Sequence, residues 1–561
     1  MPAMTRTTAA RPTSLDSLGA FGHLAVASFA SLTASAAAGV ALALLLRRSK
    51  LSWTWSLLCL AALPLWLALA LPGLLGIAPA AISLSLIAGI AVGSIGWGAN
   101  AALEDRRAGG DREAALRELR GPLDLLRRHL ARRAEAITAL ADGVPIGRSA
   151  KGELASVARG DPRSGAHILI PGATGAGKTT SLAAILVDYV ARSGFGAIVL
   201  EAKSDATLLD SARRAASLRG TPFRLLSPDG PSTYDPLAHG SVDERSERLI
   251  AVESWGSDDA GFYRMAASPF LRLVLRTLDR SEAPVTLAAA AHYCDPDELP
   301  NLALTLEDEE AAEVTATVRG LRPDQVRAIA GLRARLQNLA SSDFARLWLD
   351  PSRPGTESFD LRAVIERREL AYFRFDTDRT GNVGRAIAQM VLLDLGAAAS
   401  ALMGRGPGTF VAVDEFGALE APALERLFTR GRAAGFSVAL GTQTLADLSA
   451  AGPAVRERVG ATVSSLICHR IGEQADAEWV AELIGAVPAW QSTIRTDGLG
   501  LPTAEGTRTR GYRFEVNPAE LQRLGRGDAY VARLDQSGTT RARRAQVVPP
   551  WERLAQQAGA A

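Results

Sequence analysis

The sequence predicts an α/β protein built on a mainly parallel sheet, with an all-helical domain inserted into it and transmembrane helices ahead of it. Three observations carry that expectation. In "ILIPGATGAGKTTSLAAILVDYV", residues 168–190, a glycine-rich turn joins an apolar strand to a helix. Further strand-like runs alternate with helical patterns after it, as a parallel sheet with crossover helices requires. No charged residue occurs from Leu51 to Leu103, an uncharged run too long for a single membrane helix of ~20 residues.

That run divides near "LPGLLGIAP", residues 71–79. One span is expected from about Trp53 to Leu71 and another from about Ala80 to Ala99, with Trp53, Trp55 and Trp97 near their ends, where amphipathic rings favour the interface. Leu24 to Leu46 is also apolar but richer in Ala and Ser, so residues 1–103 are expected to hold two or three transmembrane helices. Basic residues cluster in "RRSK" (47–50) and "EDRR" (104–107), and the positive-inside rule places both clusters in the cytoplasm. Either count of spans leaves residues 104–561 cytoplasmic, in a multi-pass protein of the inner (plasma) membrane. Residues 104–145 read as a juxtamembrane connector, helical over Arg112 to Ala141 and interrupted at Gly121 and Pro122.

The glycine-rich turn is a complete P-loop: Gly172, four residues, then Gly177, Lys178 and Thr179. Glycines let backbone N–H groups wrap phosphates without a Cβ in the way. A nucleotide triphosphate is therefore expected on Gly172, Ala173, Thr174, Gly175, Ala176, Gly177, Lys178, Thr179 and Thr180. Lys178 would reach the β- and γ-phosphates, and the Thr179 hydroxyl would hold Mg²⁺, which makes ATP and Mg²⁺ the expected cofactors. The buried-strand pattern "AHILI" before the loop and the helix after it, ending at Gly194, supply the context a chance match lacks.

The apolar run "GTFVAVDEFGAL", residues 408–419, ends in two acids. Asp414 is expected at the carboxyl end of a strand, where ligands of open α/β sheets bind, as the second Mg²⁺ residue. Glu415 is expected to polarise the attacking water. The strand "FSVALGTQT" then places Gln443 where an amide can sense the γ-phosphate. Before it, a helix over "APALERLFTRGR" leads to Arg432. In a ring, an arginine there could stabilise phosphoryl transfer at a neighbouring subunit; a solvated helix end favoured by the macrodipole is the equal alternative, and Arg430 is the second candidate.

Strands are also expected in "FGAIVLEAK" (195–203), "ELAYFRFDTD" (369–378), "ATVSSLICHRI" (461–471) and "DAYVARLD" (528–535). The nucleotide-binding domain would thus comprise residues 146–240 and 351–561, with the helical insertion at 241–350. Lys and Arg number 62 against 60 Asp and Glu, so a global basic surface gives no reason to expect nucleic acid, and any footprint is local. "RTRGYRF" (508–514) and "RARR" (541–544) are the local basic patches; "LEDEEAAEV" (306–314) reads as a solvated helix face. Three scattered cysteines, Cys59, Cys294 and Cys468, form neither a disulfide framework nor a zinc pattern.

The order of these elements resembles the TraG/TraD-like coupling proteins of conjugation and type IV secretion. The likeness is carried by "ILIPGATGAGKTT", "AIVLEAKSDATLLDSARRAA", "STYDPLAHG", "FVAVDEFGALEAPALERLFTRGRAAGFSVALGTQTLADL", "SSLICHRIGEQADAEWVAELIG" and "FEVNPAELQRLGRGDAYVARL". It implies a membrane-anchored, RecA-like P-loop ATPase that forms a homo-hexamer. Such a motor recruits DNA, expected to be single-stranded and bound to a relaxase or other relaxosome protein, and passes it to type IV secretion channel components. The resemblance implies the catalytic set Lys178, Glu415, Arg432 and Gln443, and raises Arg432 above Arg430. Many members read "DPKGE" where this chain has "EAKSD", residues 201–205, which leaves open what that loop contacts. An FtsK-like double-stranded DNA pump and a membrane-anchored protein-export ATPase that never binds DNA are the rival expectations.

Overall fold

The computed structural model describes residues 143–150, 152–251, 260–419, 423–452, 454–496, 502–534 and 542–551. The expected membrane spans, the connector helix, Cys59 and Arg541 lie outside them.

Strands β1 (Gly143–Arg148) and β2 (Leu154–Ala158) pair antiparallel. Strand β3 (Ile168–Pro171) runs into the P-loop, from which helix α1 (Lys178–Val187) emerges and continues as a π-turn over Asp188–Arg192. Then come β4 (Gly196–Glu201), α2 (Ala206–Arg219), β5 (Phe223–Leu226) and the short β6 (Ser232–Tyr234). Asp205 caps α2, its Oδ1 accepting from Thr207 N at 2.6 Å, and Gly220 at φ 69° ends it.

Between β6 and β7 (Glu357–Phe359) the described residues form only helices: α3 (Val242–Ile250), α4 (Ala260–Arg280), α5 (Leu287–Tyr293), α6 (Leu299–Ala303), α7 (Asp308–Arg319), α8 (Pro323–Ser341) and α9 (Asp343–Leu349). A capping box opens the series: Ser241 Oγ accepts from Glu244 N, and Glu244 Oε2 accepts from Ser241 N. Helix α7, which carries the acidic run, buries only Val314; Asp308, Glu309 and Glu313 are exposed, and Glu310 pairs with Arg280 at 2.6 Å.

After β7 follow α10 (Leu361–Glu366), β8 (Leu370–Arg374), α11 (Thr377–Ala401), β9 (Thr409–Asp414), α12 (Phe416–Leu419), α13 (Leu424–Arg430) and β10 (Phe436–Thr442). The remainder is α14 (Ala446–Ala450), α15 (Val455–Thr462), β11 (Ser465–Cys468), α16 (Gln474–Ile484), the hairpin β12 (Ala486–Thr496) and β13 (Pro502–Phe514), α17 (Pro518–Gln522), β14 (Asp528–Arg533) and β15 (Arg543–Val547). Most of the hairpin, residues 488–512, falls outside the compact unit formed by the sheet and helices described here.

The large sheet has the order β2-β1-β15-β14-β11-β3-β10-β9-β4-β8-β5. From β11 to β5 every neighbour is parallel; β14, β15, β1 and β2 add an antiparallel wing. The strand expected at 528–535 thus joins the sheet antiparallel. Strands β3, β4, β9 and β10 are buried along their whole length, as a sheet covered on both faces requires. Ile198 and Leu200 enter one core with α11, α13 and the helices between β6 and β7, whereas Ala197 and Val199 enter a second core with α1 and α2. In the second, Tyr189 stacks on Phe410 with ring centroids 4.6 Å apart. Among the described residues α11 alone is long and apolar enough to cross a membrane, and it is buried as a core helix.

A buried ion cluster joins the helical segment to α11. The Arg248 guanidinium, 1% exposed, lies 2.9 Å from Asp394 Oδ1 and donates to the carbonyls of Pro236 (2.5 Å) and His239 (2.7 Å). Tyr234 donates its hydroxyl to Asp394 Oδ2 at 2.8 Å. Burial raises the Asp394 pKa to about 6 despite the opposing pull of Arg248. Arg248→Ala removes the counter-charge and leaves the Pro236 and His239 carbonyls short of a donor. It is expected to cost about 3–5 kcal/mol in urea unfolding; a loss below about 1 kcal/mol would show the cluster to be dispensable.

Candidate nucleotide site

Strands β3, β10, β9 and β4 end level with one another: Thr442 pairs with Pro171, and Glu201 with Asp414. Their carboxyl ends gather the residues singled out in the sequence.

The loop at 172–177 is held by its backbone. Gly172 N donates to Thr442 O (3.1 Å), Ala173 N to Arg470 O (2.7 Å), and Ala176 O accepts from Gly527 N (2.9 Å). Its floor is His469. The Nδ1 of that ring faces Asp528 O at 3.1 Å and, since a carbonyl only accepts, carries the proton; Nε2 then accepts from Ser181 Oγ at 2.9 Å. Burial, reinforced by the Lys178 charge, lowers the His469 pKa to about 4, so the ring is neutral. A Cβ on Gly172 would stand 2.6 Å from His469 Cβ, and Gly177, at φ 124°, is closed to other residues by its backbone. Gly172 is thus required by the packing of His469 beneath it, and Gly177 by its own backbone, apart from any phosphate above.

Lys178 Nζ donates to Gly172 O (2.8 Å) and Ala173 O (3.3 Å) and lies 3.6 Å from Glu415 Oε1. Thr179 Oγ1 donates to Asp414 Oδ2 at 3.1 Å. Asp414 is 3% exposed, and its other oxygen, Oδ1, is buried without a hydrogen-bond partner among the described residues. Burial and then the neighbouring Glu415 raise the Asp414 pKa to about 6. A desolvated carboxylate with one oxygen unpaired, beside a threonine hydroxyl, fits Mg²⁺, which takes one or two such oxygens and completes its shell with water and phosphate.

Glu415 turns the chain out of β9 at φ 55°, in the left-handed region that side chains seldom adopt. Gln443 Nε2 donates to Glu415 Oε2 (2.5 Å), and Thr174 Oγ1 donates to Gln443 Oε1 (3.0 Å). Loop, amide and carboxylate therefore form one chain of hydrogen bonds. The structure brings Thr174, Lys178, Thr179, Asp414, Glu415 and Gln443 together.

It does not bring Arg432 to them. Arg432 lies in a 3₁₀ turn (Gly431–Ala434) at the amino end of β10. Seven residues of β10 separate it from Gln443, about 20 Å at the usual rise. Its Nε donates to Gly165 O at 3.1 Å, and its carbonyl accepts from Gly165 N and Gly435 N. Arg430 and Arg432 are both exposed.

His469 was not singled out in the sequence; the signal was a polar residue directly after β11, the strand beside the P-loop strand. Two basic patches resolve differently. Arg543 donates to Leu154 O (3.0 Å) and Arg544 pairs with Asp528 (2.7 Å), so both arginines are engaged within the antiparallel wing. Arg510 and Arg513 are exposed on β13.

Sheet, loop and metal-competent carboxylate define a P-loop nucleotide-binding α/β protein. Residues 152–543 match the type IV secretion-system coupling protein DNA-binding domain family, and the chain belongs to that family. No match among curated proteins is found. Among solved structures, the unbound bacterial conjugative coupling protein TrwBΔN70 is 18% identical with a TM-score of 0.54, covering 72% of this chain and 88% of its own. TrwB in complex with the ATP analogue ADPNP is 18% identical with a TM-score of 0.50, covering 69% of this chain and 86% of its own. The TrwB complex with ADP and Mg²⁺ is 17% identical, with the same TM-score and coverages. At these identities the likeness shows the fold.

Proposed function

We propose that the chain is an ATP-hydrolysing coupling protein that carries DNA to a type IV secretion channel. The observation that supports it best is the continuous site from Thr174 through Gln443 to Glu415, beside Thr179 and Asp414, within a chain of the coupling-protein family. Lys178 and the P-loop amides hold the triphosphate. Thr179 and Asp414 would hold Mg²⁺, which when bound would neutralise charge on the phosphates. Glu415 takes a proton from the water that attacks the γ-phosphorus as the bond to the β–γ bridging oxygen breaks, leaving ADP and phosphate. Gln443 shares a hydrogen bond with that carboxylate, so it relays the state of the site to β10 and the elements that follow. Arg432 acts on the nucleotide of a neighbouring subunit in a homo-hexamer. The substrate is single-stranded DNA bound to a relaxase or other relaxosome protein, and residues 1–103 anchor the motor in the inner membrane.

The test is ATP turnover by the full chain in detergent with single-stranded DNA, double-stranded DNA or none. Several-fold stimulation by the single strand is expected, together with binding that weakens steeply as salt rises. Preference for the duplex would favour the double-stranded pump. No response and no salt-sensitive binding to either form would overturn the DNA motor.

A further inference from the structure

We infer that Lys203 is a positioning residue that holds the Glu415 carboxylate in its working orientation and ties it to the loop between β4 and α2. This rests on Glu415 being the base of an ATPase. Two ammonium groups approach the same oxygen, Glu415 Oε1: Lys178 Nζ at 3.6 Å and Lys203 Nζ at 3.7 Å. Gln443 holds the other oxygen. Lys178 is the residue assigned to the phosphates, and as its ammonium turns to them, Lys203 is the cation that stays on the carboxylate.

The carboxylate needs holding. Glu415 sits at φ 55°, a conformation that persists only where the surroundings over-determine it. The side of the site that bears Lys203 is itself fixed. Glu201, at the end of β4, accepts from Asp205 N at Oε1 (2.5 Å) and from the Tyr372 hydroxyl at Oε2 (2.6 Å). The carbonyl of Glu201 accepts from Phe375 N, and that of Ala202 from Thr377 N, both at 2.9 Å. Ser204 Oγ accepts from Arg374 Nε at 3.0 Å. The loop is thus clamped to β8 and the start of α11, and Asp205 caps α2. This gives the "EAKSD" segment its contact: the glutamate braces the turn and the lysine reaches the base. Lys203 is 45% exposed along its side chain, and an ion pair of that kind contributes little to stability. Its removal therefore tests position rather than folding.

The experiment compares Lys203→Ala, Lys203→Arg, Glu415→Gln and the double variant Lys203→Ala/Glu415→Gln in the full chain. Steady-state turnover of MgATP and affinity for a fluorescent ADP analogue are read for each. Displacing a catalytic group by about 1 Å costs up to about 100-fold, so Lys203→Ala is expected to lower kcat about 10- to 100-fold. KM and ADP affinity should stay within about twofold. Lys203→Arg should recover most of the rate. In the Glu415→Gln background the change should do nothing further, because the group it positions is gone. Equal losses in both backgrounds, or a raised KM with kcat unchanged, would overturn the assignment while leaving the ATPase reading intact. A wild-type chain that hydrolyses no ATP would overturn both.

Discussion

Lys178→Ala is expected to reduce ATP turnover by at least about 10²–10³-fold, the loss seen when one preorganised donor is removed from a developing charge, with the fold intact. Lys178 is buried, yet its polar partners are the site's own: the carbonyls of Gly172 and Ala173 and the carboxylate of Glu415. Truncation thus strands no distant charge. The position opens α1, where alanine is the best helix former, so local propensity does not suffer. His469 and Ser181 still support the loop from below, and Gly527 and Arg470 still hold its backbone. Lys178→Arg should not restore the rate, since a planar fork does not replace a compact ammonium. The readouts are kcat and circular-dichroism melting of the same preparations. Turnover above a tenth of wild type, or a collapsed melt, would contradict the assignment.

How far the sequence disclosed this site depends on which part is local. The P-loop, Asp414, Glu415 and Gln443 each sit at the end of an apolar run, and the parallel register sets those ends level, so a one-dimensional pattern sufficed. The strands of the antiparallel wing were less visible. Strands β1, β2 and β15 are short and mix Pro, Gly, Ser and Arg with apolar residues, so their alternation is weak; only pairing with β14 and with each other makes them strands. His469 was hidden for a different reason. Its role arises because β11 lies beside β3, more than 290 residues away in sequence, and no local periodicity reports that adjacency. The Glu201–Tyr372 bond and the reach of Lys203 to Glu415 are likewise contacts between strand ends, invisible until the order β9-β4-β8 is known.

Arg432→Ala is expected to cut turnover by about 10³–10⁵-fold in the assembled protein, the range of an arginine supplied in trans, and to leave the basal turnover of dilute monomer unchanged. Geometry makes the distinction sharp. Arg432 stands at the amino end of β10 while Gln443 follows its carboxyl end, so the two are about 20 Å apart and Arg432 cannot serve its own nucleotide. The guanidinium is exposed, and the Gly165 carbonyl holds Nε, which steadies the side chain while leaving the rest of its fork to a partner. Its loss leaves no uncompensated charge. The nearby His167 is kept neutral by burial and then by Arg432, with a pKa of about 3, and it retains its bonds to Phe428 O and Val438 N. Arg430→Ala, at the end of α13, is the control and should change the rate little. The decisive measurement mixes two inactive chains, Arg432→Ala and Lys178→Ala. A ring containing both can pair the intact P-loop of the first with the intact arginine of the second, so activity should reappear on mixing. Failure to complement, or an equal loss in monomer, would mean that Arg432 acts within its own fold.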